Sequence, residues 1–167
     1  MIESFLSSLE QFQKKESTLP KLIIVYGPTA CGKTALSIEL AKHLHTEIIS
    51  TDSRQIYTDM DIGTGKITQE EMQWIPHHML DIIFPTEIFS MAEFGKKSIP
   101  IAEGIIQKWK IPILCGWTGL YIDSILYEMA IPDSVPDWEY REKLEKIRIE
   151  KGNQFLWNML FQVDPLY

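Results

Sequence analysis

The stretch Leu22-Ile23-Ile24-Val25-Tyr26-Gly27-Pro28-Thr29-Ala30-Cys31-Gly32-Lys33-Thr34 limits what this chain can fold into more than any other. An apolar run ends at Gly27, and the next residues fit G-x-x-x-x-G-K-[ST] at every fixed position. Leu36, Leu40 and Leu44 then recur at helical spacing. The apolar run suits a strand covered on both faces, as in a parallel sheet. The leucine repeat gives one face of a helix beginning at Lys33. A strand, this loop and a helix in that order form the context in which the pattern binds phosphate. The glycines let the backbone wrap an anion with its N–H groups inward, and the helix N-terminus adds a favourable dipole. Lys33 offers a charge to the terminal phosphate, and Thr34 offers a hydroxyl to Mg²⁺. The phosphate compound stays open at this point: ATP in a kinase, a nucleotide in an ATPase, or the diphosphate of another donor.

The remaining chain alternates strands and helices. Residues 1–20 read as a partly helical lead-in ending at Pro20. Strands are expected at Glu47–Ser50, Met79–Ile83 and Pro112–Cys115, with an irregular segment over 52–76. Ser90-Met91-Ala92-Glu93 matches a capping box and opens a helix to about Lys108, which Pro100 should bend or interrupt. A helix follows from Leu120 to Met129, then a linker over 131–136. A charged helix runs from Asp137 to Lys151, with Glu139–Lys143 and Glu142–Lys146 at pairing distance. The fold class expected is α/β, a P-loop NTPase-like parallel sheet flanked by helices with right-handed crossovers. The expected organisation is a lead-in over 1–20, an α/β core over 21–130 and the start of a helical insertion over 131–167.

Composition excludes some roles. No stretch approaches the ~18 apolar residues of a membrane span, and the N-terminus lacks the pattern of a secretory signal. Cys31 and Cys115 are far apart without ligand-like companions, which argues against a zinc site or disulfide framework and for a reducing cytoplasm. His77 and His78 are adjacent on an expected strand and so point to opposite faces, a structural role rather than chelation of one ion. The net charge of −7 argues by itself against an RNA partner, because phosphate contacts need Lys and Arg.

After the second strand comes Ser50-Thr51-Asp52-Ser53-Arg54-Gln55-Ile56-Tyr57. Strand ends face the ligand crevice of an open parallel sheet, so Asp52 lies beside the phosphate loop. There it can take a proton or hold Mg²⁺, or simply cap a turn. The series GPTACGKT, DSRQIY, MDIGTGK, IPHHMLDI and TGLY resembles, in order and spacing, the tRNA dimethylallyltransferase family, from about residue 21 to the end.

That resemblance implies transfer of the dimethylallyl group from its diphosphate to N6 of an adenosine beside the anticodon of tRNA. It implies a donor site built from Gly27, Pro28, Thr29, Ala30, Cys31, Gly32, Lys33 and Thr34. Relatives are often described as binding ATP there; dimethylallyl diphosphate is the ligand expected. Thr34 would meet Mg²⁺, and Asp52 would act as general base on the amine. Ser53, Arg54 and Gln55, with Thr118 and Arg141, would contact tRNA in its anticodon loop. A cytoplasmic monomer is expected.

Two departures from the family stand out. Its members are roughly twice as long, so this chain reads as an N-terminal portion or an inactive remnant. Trp74, Trp109 and Trp117 stand where relatives usually have glycine, with Trp117 interrupting an expected Gly-Gly-Thr-Gly-Leu-Tyr. We expect these three codons to be UGA, read as glycine in the source organism. Genuine tryptophans there would reduce activity.

Overall fold

The computed structural model describes residues 2–127 and 136–166. The chain divides into two compact units, Met1–Ile131 and Pro132–Tyr167.

The first unit begins with α1, Ile2–Lys14, where a partly helical lead-in was expected. β1, Ile23–Tyr26, leads into the Gly27–Gly32 loop and α2, Lys33–Leu44. β2 is Ile48–Thr51, α3 is Gln69–Met72 and β3 is His77–His78. α4 spans Met91–Gln107, β4 Ile113–Gly116 and α5 Gly119–Leu126. The four strands are parallel in the order β1-β4-β2-β3, so the expected parallel sheet flanked by helices is present.

Each face of the sheet has its own apolar layer, as a parallel sheet requires. On one face Val25, Ile48 and Ile113 pack with Leu9 of α1 and Ile38, Ala41 and Leu44 of α2. On the other, Ile49 and Leu114 pack with Phe94, Ile105, Tyr121 and Ile122. Phe94 and Tyr121 stack with ring centroids 3.9 Å apart.

Several local expectations need correction. Leu36 is exposed, and the buried face of α2 runs through Ser37, Ile38, Leu40, Ala41 and Leu44. The third strand lies upstream of Met79–Ile83, because left-handed backbone at Met79 and Asp81 breaks any extended run there. Ile83 makes only an isolated bridge to Tyr57. α4 passes through Pro100 without a break, with the proline on its exposed side. Its capping box is present, with Ser90 Oγ accepting from Glu93 N and Glu93 Oε2 from Ser90 N at 2.7 Å. α5 ends at Leu126, short of the Met129 expected, and Met129 and the linker at 131–135 lie outside the described residues.

The second unit holds α6, Trp138–Lys151, capped by the Asp137 carboxylate on Tyr140 N, and α7, Asn153–Val163. On α6 the ion pair formed is Glu145 with Arg148, at 2.6 Å. α7 has no counterpart in the expectations above. Gly152 joins the two helices at φ 82°, a backbone that costs glycine little.

Candidate active site

The carboxyl ends of β1, β4 and β2 lie side by side. Gly116 of β4 is in register with Tyr26 on one side and Thr51 on the other. The next residue after Tyr26 is Gly27, and the next after Thr51 is Asp52. Two strand spacings separate them, so the loop and the carboxylate start at one level roughly 10 Å apart. The approach is tight. A Cβ on Gly116 would sit 2.4 Å from Thr51 Oγ1 and 2.5 Å from the Thr51 carbonyl carbon, so only glycine fits.

The Gly27–Thr34 loop has the turns its sequence promised. Ala30 and Gly32 adopt left-handed backbone at φ 63° and 88°, folding the chain back before α2 starts. Gly27 is buried, whereas Pro28, Thr29, Ala30, Cys31, Gly32 and Thr34 are exposed. The Lys33 ammonium donates to the Pro28 carbonyl at 2.6 Å, holding its charge across the loop mouth. A cleft of about 410 Å³ runs along Ala30, Gly32, Lys33 and Thr34 and is bounded by Glu71 and Gln73.

Asp52 does two things. One oxygen accepts from Arg54 N at 2.9 Å, which makes the turn its bland interpretation foresaw. The half-exposed carboxylate still has a second oxygen, so capping and proton transfer do not compete. Ser53 N donates to Thr118 Oγ1 at 3.0 Å, and Thr118 N donates to the Thr51 carbonyl at 3.0 Å. Thr118 thus pins the Asp52 turn to the end of β4, a function the sequence did not reveal. Gln55 Nε2 donates to the Gly65 carbonyl at 3.2 Å, while the Arg54 side chain is exposed. A cavity of about 30 Å³, room for one water, is lined by Thr34, Ser50, Gln55, His77 and Cys115. It links the helix start of the loop to the segment after Asp52.

Electrostatics agree with this grouping. Burial pushes the Cys115 thiol up, with Ser37 and Lys33 working against it and Cys31 and Asp52 adding to it. The charges of Lys33 and Asp52 therefore both reach one thiol. The Tyr121 phenol is pushed up to about 12, first by burial and then by Tyr57, Glu93 and Asp52.

Arg141 belongs to α6 in the second unit, where its guanidinium lies 5.3 Å from the Trp138 ring centroid. His77 and His78 take separate partners: His77 Nδ1 meets the Ile75 carbonyl and His78 Nε2 meets Glu47, each at 2.8 Å. Among the described residues no group of three His, Cys, Asp or Glu side chains could hold a metal. The exposed Thr34 hydroxyl is one hard oxygen, a donor of the kind Mg²⁺ accepts where phosphate and water would supply the rest.

The three tryptophans differ in their surroundings. Trp74 and Trp109 have left-handed backbone at φ 66° and 61°, and the two residues are 100% and 98% exposed. Both positions carry the strain glycine would avoid, and neither indole packs in return. Trp117 follows Gly116 directly and stacks on Tyr26, centroids 5.2 Å apart and planes 9° from parallel. The pair walls the base of the loop between the tips of β1 and β4.

A parallel sheet with a strand–loop–helix unit and a carboxylate at a neighbouring strand tip defines the class: an α/β protein with a glycine-rich loop at the carboxyl edge of its sheet. The comparisons with known proteins narrow it. The model of the IPP transferase family matches residues 55–167, and that of isopentenyl transferase matches residues 20–81. The chain is 51% identical over 145 residues to the tRNA dimethylallyltransferase of Alkaliphilus oremlandii, covering 87% of this chain and 46% of that protein. It is 48% identical to the Bacillus cytotoxicus enzyme of the same name, covering 90% and 48%. The full-length tRNA isopentenylpyrophosphate transferase of Bacillus halodurans superposes with TM-score 0.67 at 43% identity, covering 89% of this chain and 49% of that one. A eukaryotic dimethylallyltransferase acting on tRNA gives 0.69 at 27% identity, covering 88% and 36%. The chain belongs to the IPP transferase family. It spans about half the length of the curated relatives it matches.

Proposed function

We propose that this chain carries the donor site and the proton acceptor of a tRNA dimethylallyltransferase. The observation behind this is the register at Gly116, which sets the Gly27–Thr34 loop and Asp52 at one level on either side of β4. The gap suits an allylic carbon and an attacking amine.

In this mechanism the diphosphate of the donor lies on the loop amides, with Lys33 swinging from the Pro28 carbonyl to a phosphate oxygen. Thr34 would hold Mg²⁺, which when bound would supply charge neutralisation for the leaving diphosphate. The bond from the allylic carbon to the diphosphate oxygen breaks with its electron pair on oxygen. The N6 lone pair of the adenine forms the new C–N bond, and the free oxygen of Asp52 takes the amine proton. That amine is weakly nucleophilic because its lone pair is delocalised into the ring. Proton removal as the bond forms is worth ~10²–10⁴-fold, and the loop stabilises the departing charge. The base must leave its stack, which is cheapest in a single-stranded loop such as the anticodon loop. Ser53, Arg54 and Gln55 stand next to Asp52, where a nucleotide carrying N6 would lie, and Arg141 on α6 would contact tRNA. A cytoplasmic, monomeric enzyme completes the proposal.

The test incubates the chain with labelled dimethylallyl diphosphate and an anticodon stem-loop RNA. Label in the RNA, abolished by Asp52→Asn, supports the assignment. ATP-dependent phosphorylation of a small acceptor would replace it with a kinase.

A further inference from the structure

The Lys66 side chain is only 4% exposed, yet it carries a charge. Its ammonium donates to the Tyr57 carbonyl at 2.7 Å, to Asp61 Oδ1 at 2.7 Å and to Asp81 Oδ1. An ammonium has three donors, and each is used on a different stretch of chain. Tyr57 closes the turn that starts at Asp52. Asp61 lies in the loop after it, and Asp81 follows β3.

The same three stretches are joined around Gln55 and Ile56. Gln55 donates to the Gly65 carbonyl and accepts from Asp81 N at 3.2 Å; Ile82 N donates to the Ile56 carbonyl at 2.8 Å; Thr58 N donates to the Ile83 carbonyl at 2.8 Å. Left-handed backbone at Asp59, Met79 and Asp81, with φ 61°, 63° and 52°, surrounds this junction. Such backbone persists only where its surroundings over-determine it. A buried cation with every donor spent is the group able to do so. The burial that would disfavour its charge is outweighed by hydrogen bonds and charge from Asp61 and Asp81, and the pKa is raised.

We propose that Lys66 is a positioning residue: its ammonium fixes Ser53–Tyr57, and through them the side of the site that receives the RNA. The RNA part of this rests on the transfer proposed above; the fixing of the segment does not.

The experiment compares the chain with Lys66→Met and Lys66→Arg by amide hydrogen exchange and by kinetics. In Lys66→Met we expect exchange at Thr58, Asp81 and Ile82 to quicken about tenfold or more, with α2 amides unchanged. KM for an anticodon stem-loop RNA should rise about tenfold, while Kd for inorganic pyrophosphate holds and kcat falls less. Lys66→Arg should recover most of the KM. If the parent chain transfers no label, the proposed function fails and the exchange data still decide the role of Lys66. Unchanged exchange, or equal acceleration in α2 and the segment, overturns it. Should Lys66→Met not fold, Asp61→Ala and Asp81→Ala each remove one of the same bonds at an exposed carboxylate, and protected Thr58 and Ile82 amides in both would overturn it as well.

Discussion

The two halves of the candidate site sit at the tips of β1 and β2 and are built on opposite plans. The Gly27–Thr34 loop is exposed along most of its length, and its lysine is tied to the loop's own Pro28 carbonyl. The Asp52–Lys66 segment is anchored from outside, by Thr118 and by the 81–83 stretch, which its own buried Lys66 ammonium also reaches through Asp81. The contrast has a physical logic. A loop made of main-chain amides needs only the right turns and gains its remaining contacts from the anion it wraps. A general base and the base it serves must be held before the reaction, because misplacement by about 1 Å costs on the order of 10² in rate.

The largest expected effect separates the halves. Asp52→Asn should lower transfer by ~10²–10⁴-fold and leave binding of inorganic pyrophosphate unchanged, measured by calorimetry. Loss of pyrophosphate binding in that variant would mean the halves are not separate. Next comes Gly116→Ala, which drives a methyl against the Thr51 backbone where β2 and β4 converge. We expect a loss of roughly 2–4 kcal/mol in denaturant unfolding, and a stability within error of the parent would show the convergence to be soft.

A control at the far end of β2 sharpens the comparison. Glu47 is nearly buried and receives His78 at 2.8 Å and Lys108 at 3.0 Å. Burial raises its pKa, but those hydrogen bonds and charges prevail and hold it below the usual carboxylate range. Its stabilisation is therefore present above the unfolded-state value and lost as pH falls through the native one. Glu47→Gln should cost about 1–3 kcal/mol at neutral pH, and the gap to the parent should close as pH drops below about 4. A gap that persists in acid would assign the loss to packing rather than charge. Pyrophosphate binding should not respond at all.

The smallest effect concerns backbone strain away from both halves. Trp109→Gly relieves a left-handed residue whose indole is in solvent, and should raise stability by about 1 kcal/mol, read as a higher Tm. No gain would show the turn to be unstrained. The codons address the origin of these residues directly: UGA at 74, 109 and 117 supports glycine at all three, and TGG ends that idea.

The Gly27–Thr34 half was legible because the turns of its loop are made by neighbouring residues in the chain. The apolar run, the glycines, Lys33 and Thr34 carry their meaning in their spacing, and the same holds for the capping box at Ser90. Thr118 and Lys66 were not legible in this way. The first was expected to touch RNA, and its hydrogen bond from Ser53 was not foreseen; the second was one letter of a family motif without a role. Nor could the sequence reveal the left-handed turns at Met79 and Asp81 that moved the third strand, because those turns depend on partners distant in the chain.

The sequence alone determined the alternation of strands and helices and the phosphate-loop pattern, since these depend on local period and spacing, and its ordered series of motifs carried the likeness to one family. The tertiary structure decided the strand order β1-β4-β2-β3, which inserts β4 between the loop and Asp52 and sets their separation. It also decided which lysine lies buried between two aspartates. Both outcomes depend on which distant segments share a face, and hydrophobic periodicity carries no such information.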